Sequence, residues 1–327
     1  MNEKYKKQQF LGELNENEKI DSIFFVSEKQ LAKDKNNKSY LNLTLQDKSG
    51  RVSARVFQNA DDIDSLFNCY DFIHAKGSLL NYKNEKQIHL QTVTPVSSDS
   101  LSGEDFFPAT SKDKEQTFSE LKKILGSIED LEIKSLAEAF ISDEELMFLF
   151  KSAPAAKTIH HAYLGGLLEH TLSVIQLADM MSKHYLKLKR DDLLIGAFLH
   201  DIGKTKELEF SQSFQYTDEG RLVGHIVMTA QWIAEKGKTA NISKKILNRV
   251  THLVLAHHGK LEFGSPKRPK TIEALIISML DELDSRVWHW QNIIENSQGL
   301  SWTSYLKDYD RYLYFDHYDW KKPPEIK

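Results

Sequence analysis

The residues in this chain best suited to chemistry are histidines and aspartates strung through its second half. In Phe198-Leu199-His200-Asp201-Ile202-Gly203-Lys204 a histidine directly precedes an aspartate, at the end of the apolar run Leu193 to Leu199 where a helix enters a core. An ionised carboxylate beside an imidazole in apolar surroundings is costly unless a charge or hydrogen bonds compensate it. A divalent cation supplies that compensation, and imidazole nitrogen with carboxylate oxygen suits Mn²⁺, Fe²⁺, Co²⁺ or Zn²⁺. A lone His-Asp dipeptide is most often a surface pair without function. This one has company: Gly165-Gly166-Leu167-Leu168-Glu169-His170 upstream, then Gly224-His225, His257-His258-Gly259 and Leu280-Asp281-Glu282-Leu283-Asp284 downstream.

The order His, His-Asp, His, His-His, Asp resembles the HD-domain superfamily of metal-dependent phosphohydrolases. The resemblance implies that His170, His200, Asp201 and Asp281 match the four ligands of its one-metal pattern. His225 and His257 match the extra ligands of its two-metal members. Asp284, one helical turn beyond Asp281, stays open as the ligand in its place. His258 adjoins a matched ligand and is a candidate to orient it, protonate a leaving group or bind substrate; His160 and His161 are candidates for packing or for a role beside the site.

Helices must position these residues. From Thr117 onward the apolar spacing is helical, with Phe118, Leu121, Ile124 and Leu125 on one face and Asp143 as the start of Glu144 to Phe150. The Gly165-Gly166 pair allows close backbone packing ahead of a long helix from Thr171 to about Leu186, and Asp191 or Asp192 caps the helix that delivers His200 and Asp201. Phe210 to Leu222 reads as a loop or hairpin; Ser243 caps the helix ending at His257, and Thr271 begins the one bearing Asp281. Each ligand therefore sits on or at the end of a helix and converges on a bundle core. The aromatic tail, Trp302, Tyr305, Tyr309, Tyr312, Tyr314, Phe315, Tyr318 and Trp320, reads as packing over that core or at a subunit contact.

The first part of the chain has a different period. Ile20 to Ser27 is an apolar run, Lys29 to Ser39 a polar loop, and Tyr40 to Gln46 and Arg51 to Phe57 alternate strictly about the turn Asp47-Lys48-Ser49-Gly50. A short helix, Ala60 to Phe67, precedes strands Phe72 to Leu80 and Gln87 to Val96. Five strands with a helix between the third and fourth predict an OB-fold β-barrel over residues 1–96. A Ser/Asp-rich linker, 97–116, then leads to an α-helical HD domain over 117–327. With the leucines inward, the opposite barrel face carries Tyr40, Asn42, Arg51, Arg55 and Phe57, a mixture that single-stranded nucleic acid uses for stacking and phosphate contact. A merely solvated strand face, or a module that docks a partner, is the alternative.

Composition bounds the rest. Length 327, 40% hydrophobic and 28% charged fit a two-domain globular protein, and a net charge of −4 excludes a generally basic nucleic-acid coat. Cys69, the one cysteine, has no partner for an internal disulfide. No apolar leader follows Met1 and no run is long enough to span a membrane, so a cytoplasmic, reducing compartment is expected.

The barrel-plus-HD layout resembles the YhaM family of bacterial 3′→5′ exoribonucleases. The likeness extends through Ala155 to Leu167 and Tyr216 to His225; the departure is Leu280 to Ser285, where an Ala-Asp-Asp-Leu-Asp-Ala type of segment is expected. The resemblance implies manganese-dependent removal of nucleotides from the 3′ end of single-stranded RNA, with single-stranded DNA as a further substrate. Asp201 would bridge two metal ions, and Lys204, Lys157 and Arg221 are the candidate cations for phosphate, with His161 beside them. Two other readings remain: an HD hydrolase of free or cyclic nucleotides, and a non-catalytic single-strand DNA-binding factor. The Gly-Tyr-Pro signature expected of cyclic-di-GMP phosphodiesterases is absent. Whether the chain forms a homo-oligomer stays open.

Overall fold

The computed structural model describes residues 5, 7–82, 85–98, 101–156, 161–209, 215–295, 297, 301–306 and 309–315. Alternation organises the first part. In β2 (Ser39–Asp47) Leu41, Leu43 and Leu45 are buried, and in β3 (Gly50–Val56) Ala54 and Val56 join them, so one face of the hairpin enters a core. The buried Asp47 carboxylate fixes the turn by accepting the N–H groups of Ser49 (2.9 Å) and Leu11 (2.8 Å). With β1 (Lys19–Lys33), β4 (Phe72–Tyr82) and β5 (Glu85–Val96) the hairpin closes a barrel in the order β1-β2-β3-β5-β4. β4 pairs back to β1, β3 and β5 are parallel, and α1 (Ala60–Asp64) lies between β3 and β4. This is the OB-fold arrangement the sequence predicts.

The polar stretch after Ser27 is not a loop throughout, because β1 continues to Lys33 and pairs Lys29 to Lys33 with Leu43 to Ser39 past a bulge between Val26 and Glu28. Its side chains there are exposed or half-buried, so the segment has no apolar face from which to read a strand.

Between barrel and helices, Phe106 and Phe107 are fully buried and cluster with Ile23, Phe25 and Phe72 of the barrel and with Leu164. Their rings lie 4.8 Å from Phe72 and 5.0 Å from Phe25 respectively. Thr110 donates its N–H to Leu164 and Leu164 donates to Pro108, both at 2.9 Å, so the connecting segment holds the barrel against the helical part.

The helices are α2 (Lys114–Gly126), α3 (Leu131–Ile141), α4 (Glu144–Ser152), α5 (Gly166–His184), α6 (Arg190–Leu199), α7 (Lys204–Glu207), α8 (Asp218–Leu222), α9 (His225–Thr239), α10 (Lys244–Ala256) and α11 (Ile272–Glu295). A short pairing of β6 (Leu208–Glu209) with β7 (Gln215–Tyr216) precedes α8. Asp113, Asp130, Asp143, Thr217 and Ser243 cap their helices by accepting backbone N–H groups. α6 has no such cap, against expectation. Asp191 instead accepts the N–H groups of Glu129 (3.0 Å) and Asp130 (2.8 Å), and Asp192 is engaged by Arg249, so tertiary partners claim both carboxylates. α6 runs through the centre of the bundle, where every residue from Asp192 to Leu199 is buried.

In the tail, Trp302 lies 4.7 Å from Tyr314 and Tyr305 5.3 Å from Tyr312, all four exposed, while Tyr309 lies 5.7 Å from Trp290 of α11. Tyr318 and Trp320 lie outside the described residues. Among the described residues, no helix is long and apolar enough to cross a membrane.

Candidate metal centre

Glycines let the ligand-bearing elements meet. α5 starts five residues earlier than expected, after Gly165 at φ 84°, and a Cβ on Gly166 would stand 2.1 Å from the carbonyl oxygen of His161. That close approach sets His170 in the buried second turn of α5. His200 ends α6, and Asp201 occupies the turn before α7. A Cβ on Gly203 would meet the His225 carbonyl oxygen at 2.3 Å, so only glycine lets that turn press against the first residue of α9. His257 closes α10, and Asp281 faces inward from the middle of α11.

These side chains form two groups that share one aspartate: His170, His200, Asp201 and Asp281, and Asp201, His225, His257 and His258. In the first, His170 Nε2 lies 3.2 Å from both His200 Nε2 and Asp281 Oδ1, and His200 Nε2 lies 3.4 Å from Asp201 Oδ2. In the second, Asp201 Oδ1 lies 3.4 Å from His225 Nε2 and 3.5 Å from His257 Nε2. Asp201 thus presents one oxygen to each group.

The hydrogen bonds behind the rings fix what the front atoms are. His200, His257 and His258 donate Nδ1–H to the carbonyl oxygens of Ala197 (2.8 Å), Val254 (2.7 Å) and Phe263 (2.9 Å), which can only accept. Nδ1 of His225 faces Glu207 at 2.9 Å and Nδ1 of His170 faces Asp284 at 2.7 Å, again acceptors. In the neutral rings all five Nε2 atoms therefore carry lone pairs and point at one another or at carboxylate oxygens. Asp201 Oδ1, His225 Nε2 and His257 Nε2 are buried without a hydrogen-bond partner among the described residues. Facing lone pairs repel, and cations between them make the same geometry attractive. The donor set of nitrogen and oxygen, with orienting partners behind each imidazole, fits two divalent transition-metal ions.

Electrostatics agree. Burial opposes ionisation of Asp201, yet Lys204, with its ammonium 2.6 Å from Oδ2, and His200 hold the carboxyl well below its usual range. Burial likewise opposes charge on Asp281 and Asp284, but hydrogen bonds from His170 to Asp281, and from His161 and His170 to Asp284, keep both ionised. Burial disfavours an imidazolium at His170, but against the protein's own charges Asp281 and Asp284 prevail and raise it to about 9. A bound cation inverts that balance and displaces the proton. Burial and then His257 lower His258 to about 4, so near neutrality it accepts rather than donates at Nε2.

The remaining candidate positions separate clearly. Asp284 faces Nδ1 of His170 and Asp281 faces its Nε2; Asp281 belongs to the group around Asp201, while Asp284 forms a further potential metal-holding group with His161 and His170. His161 is buried, with Nδ1 2.9 Å from the Tyr163 hydroxyl and Nε2 3.4 Å from Asp284, so it adjoins the carboxylate supporting His170. Arg221 is exposed on α8 and belongs to neither group. Lys157 and His160 lie outside the described residues.

On the barrel, Tyr40 stacks on Phe57 at 6.2 Å, the Arg55 guanidinium sits 5.7 Å from the Tyr40 ring, and Asn42 pairs with Arg55 across the strands. Arg51 stands apart at the hairpin end, bonded to Gln46 at 2.6 Å. His89, from β5, adds an edge contact 5.2 Å from Phe57. Sequence reasoning missed His89 because its parallel neighbour β3 is remote in the chain, and missed Glu207 because nothing in the spacing pairs it with His225.

The HD domain family matches residues 167–286, which contain every member of both groups. The chain is 27% identical over 312 residues to a 3'-5' exoribonuclease YhaM of Shouchella clausii, covering 94% of this chain and 97% of that protein. It is 29% identical over 271 residues to the protein of that name in Bacillus subtilis, covering 83% and 86%. The second OB-fold domain of replication protein A from Methanococcus maripaludis matches at 15% identity with a TM-score of 0.23, covering 27% of this chain and 94% of that one. The strand order, rather than that likeness, defines the barrel. Residues 167–286 thus match the HD domain family, and most of the chain is similar to the proteins named YhaM.

Proposed function

We propose that the chain is a metal-dependent 3′→5′ exoribonuclease of the cytoplasm, acting on single-stranded RNA, with single-stranded DNA as a further substrate. The observation that carries this reading is the pair of ligand groups joined through Asp201, in which Nδ1 of all five imidazoles is engaged by an acceptor behind the ring. The relatives named exoribonucleases supply the substrate class. Residues 1–96 would serve as the nucleic-acid-binding barrel, 97–116 as the connection and 117–327 as the hydrolase.

His170, His200, Asp201 and Asp281 would hold one ion and Asp201, His225 and His257 the other, with Mn²⁺ the first choice. Bound there, two such ions supply Lewis acidity and lower the pKa of a water for in-line attack on phosphorus. The chain's own residues do the rest. Asp201 orients both groups; Lys204, at the rim, offers its ammonium to a phosphoryl oxygen once a cation competes for Asp201. His258 Nε2 accepts a proton or a metal bond. Tyr40, Arg55 and Phe57, with Asn42 beside Arg55, would grip the strand upstream by stacking and charge, and Arg51 would meet it farther along at the hairpin end.

The discriminating experiment is digestion of single-stranded RNA labelled at the 5′ end in Mn²⁺. Progressive shortening supports the reading; intact RNA alongside turnover of a mononucleotide or cyclic dinucleotide would assign the site to small phosphoesters.

A further inference from the structure

A cavity of ≈ 560 Å³ adjoins the metal centre through Asp284 and Ser173, and nothing in the mechanism above uses it. Along α11 the residues Asp281, Asp284, Trp288 and Gln291 fall three or four apart and share one face. At 1.5 Å per residue, Trp288 stands roughly 10 Å along the helix from the ligand Asp281. The half-buried Trp288 ring lies 4.9 Å from His161 and 5.7 Å from Tyr163 at shallow angles of 31° and 39°, so three rings make one aromatic wall. His161 is only 4% exposed, with its Nε2 3.4 Å from Asp284 Oδ2 at the cavity's inner end.

The charge of the lining selects the occupant. Lys112 is already paired with Glu169 at 2.8 Å, and Asp284 adds a second carboxylate, so a phosphate is repelled there. An uncharged, planar group is favoured: aromatic walls take the π-face of any base, and the Gln291 amide offers both a donor and an acceptor to its edge. Thr110 and Lys112 bring the segment that leads from the barrel to the cavity rim.

We propose that this cavity holds the nucleobase of the 3′-terminal nucleotide, stacked on the Trp288 wall, while the adjoining phosphodiester reaches the metal centre. The proposal rests on the exoribonuclease reading. It makes Trp288 a substrate-binding residue that accepts all four bases and sets the last phosphodiester in register for removal of one nucleotide at a time.

The test uses the full chain and two RNAs, one ending in an ordinary 3′ nucleotide and one ending in an abasic ribose. The wild type is expected to remove the ordinary end more efficiently by roughly tenfold or more. Trp288→Ala should lose that preference by slowing only on the ordinary end, and Trp288→Phe should keep it. Equal rates on the two ends in the wild type, or a preference intact in Trp288→Ala, would overturn the proposal while leaving the exoribonuclease reading in place. If no RNA is degraded, that reading fails, and saturation-transfer NMR with adenosine decides the cavity by itself. Signal in the wild type and none in Trp288→Ala supports a base pocket; no signal in the wild type refutes it. Should Trp288→Ala unfold in circular dichroism, Trp288→Leu, which keeps bulk and loses the π-face, takes its place in both assays.

Discussion

Nδ1 of His170 meets Asp284 Oδ2 at 2.7 Å, tying α5 to α11 behind the metal centre and fixing which nitrogen of that ring faces the ligands. Asp284→Asn retains the shape but removes the charge that orients the imidazole. Mn²⁺ affinity, measured by titration calorimetry, should fall by about 10- to 100-fold. Unchanged affinity would mean that Asp284 is not an orienting partner.

The barrel face predicts a split by substrate length. Arg55 and Phe57 both bear on Tyr40, so replacing the pair by alanine removes a stack and a cation from one patch. KM should rise roughly tenfold on long single strands and stay unchanged on dinucleotides, because the short substrate never reaches the barrel. Equal losses on both would rule out a binding face here.

Gly166 marks where packing has no slack. Its Cβ would stand 2.1 Å from a backbone oxygen, which cannot move aside as a side chain can. Gly166→Ala should cost about 1–3 kcal/mol in a denaturant titration, and should weaken metal binding through the displaced His170. A variant as stable as the wild type would show that the two segments do not approach so closely.

Asp143 gives a pH signature independent of the metal centre. Its carboxylate caps α4 and bonds Lys236 at 2.7 Å, and the Lys236 bond and the Leu146 N–H lower its pKa. A group whose folded pKa is depressed stabilises the fold in full above its unfolded value, near 4, and loses that contribution as pH falls through the lower folded value. Asp143→Ala should therefore cost about 1 kcal/mol at neutral pH, and its melting curve should converge on that of the wild type in acid below that range. A gap that persists unchanged there would contradict the assignment.

How much was legible follows the range of the signal. The period of two in Tyr40 to Phe57, the His-Asp pair and the glycine pair at 165–166 are local patterns, and each reappears with the geometry its chemistry requires. The polar end of β1 was lost because its pairing with β2, not an apolar face, makes it a strand. Asp281 and Asp284 were indistinguishable in sequence, since one helical turn separates front from back only after His170 has been brought between them. Glu207 and His89 gained their places through contacts between remote segments, which no spacing encodes, whereas Trp288 follows Asp284 at helical spacing and only its meeting with His161 was hidden.

Asp201, as proposed, joins two metal sites at which RNA is cleaved from its 3′ end. The most direct test of this role incubates the wild type and Asp201→Ala with Mn²⁺ and single-stranded RNA labelled at the 5′ end, with retained single-strand binding showing that the mutant's barrel is intact. A ladder shortening from the 3′ end is expected in the wild type and full-length RNA in the mutant. Turnover by Asp201→Ala, or a wild type that binds RNA and leaves it whole, would contradict that role.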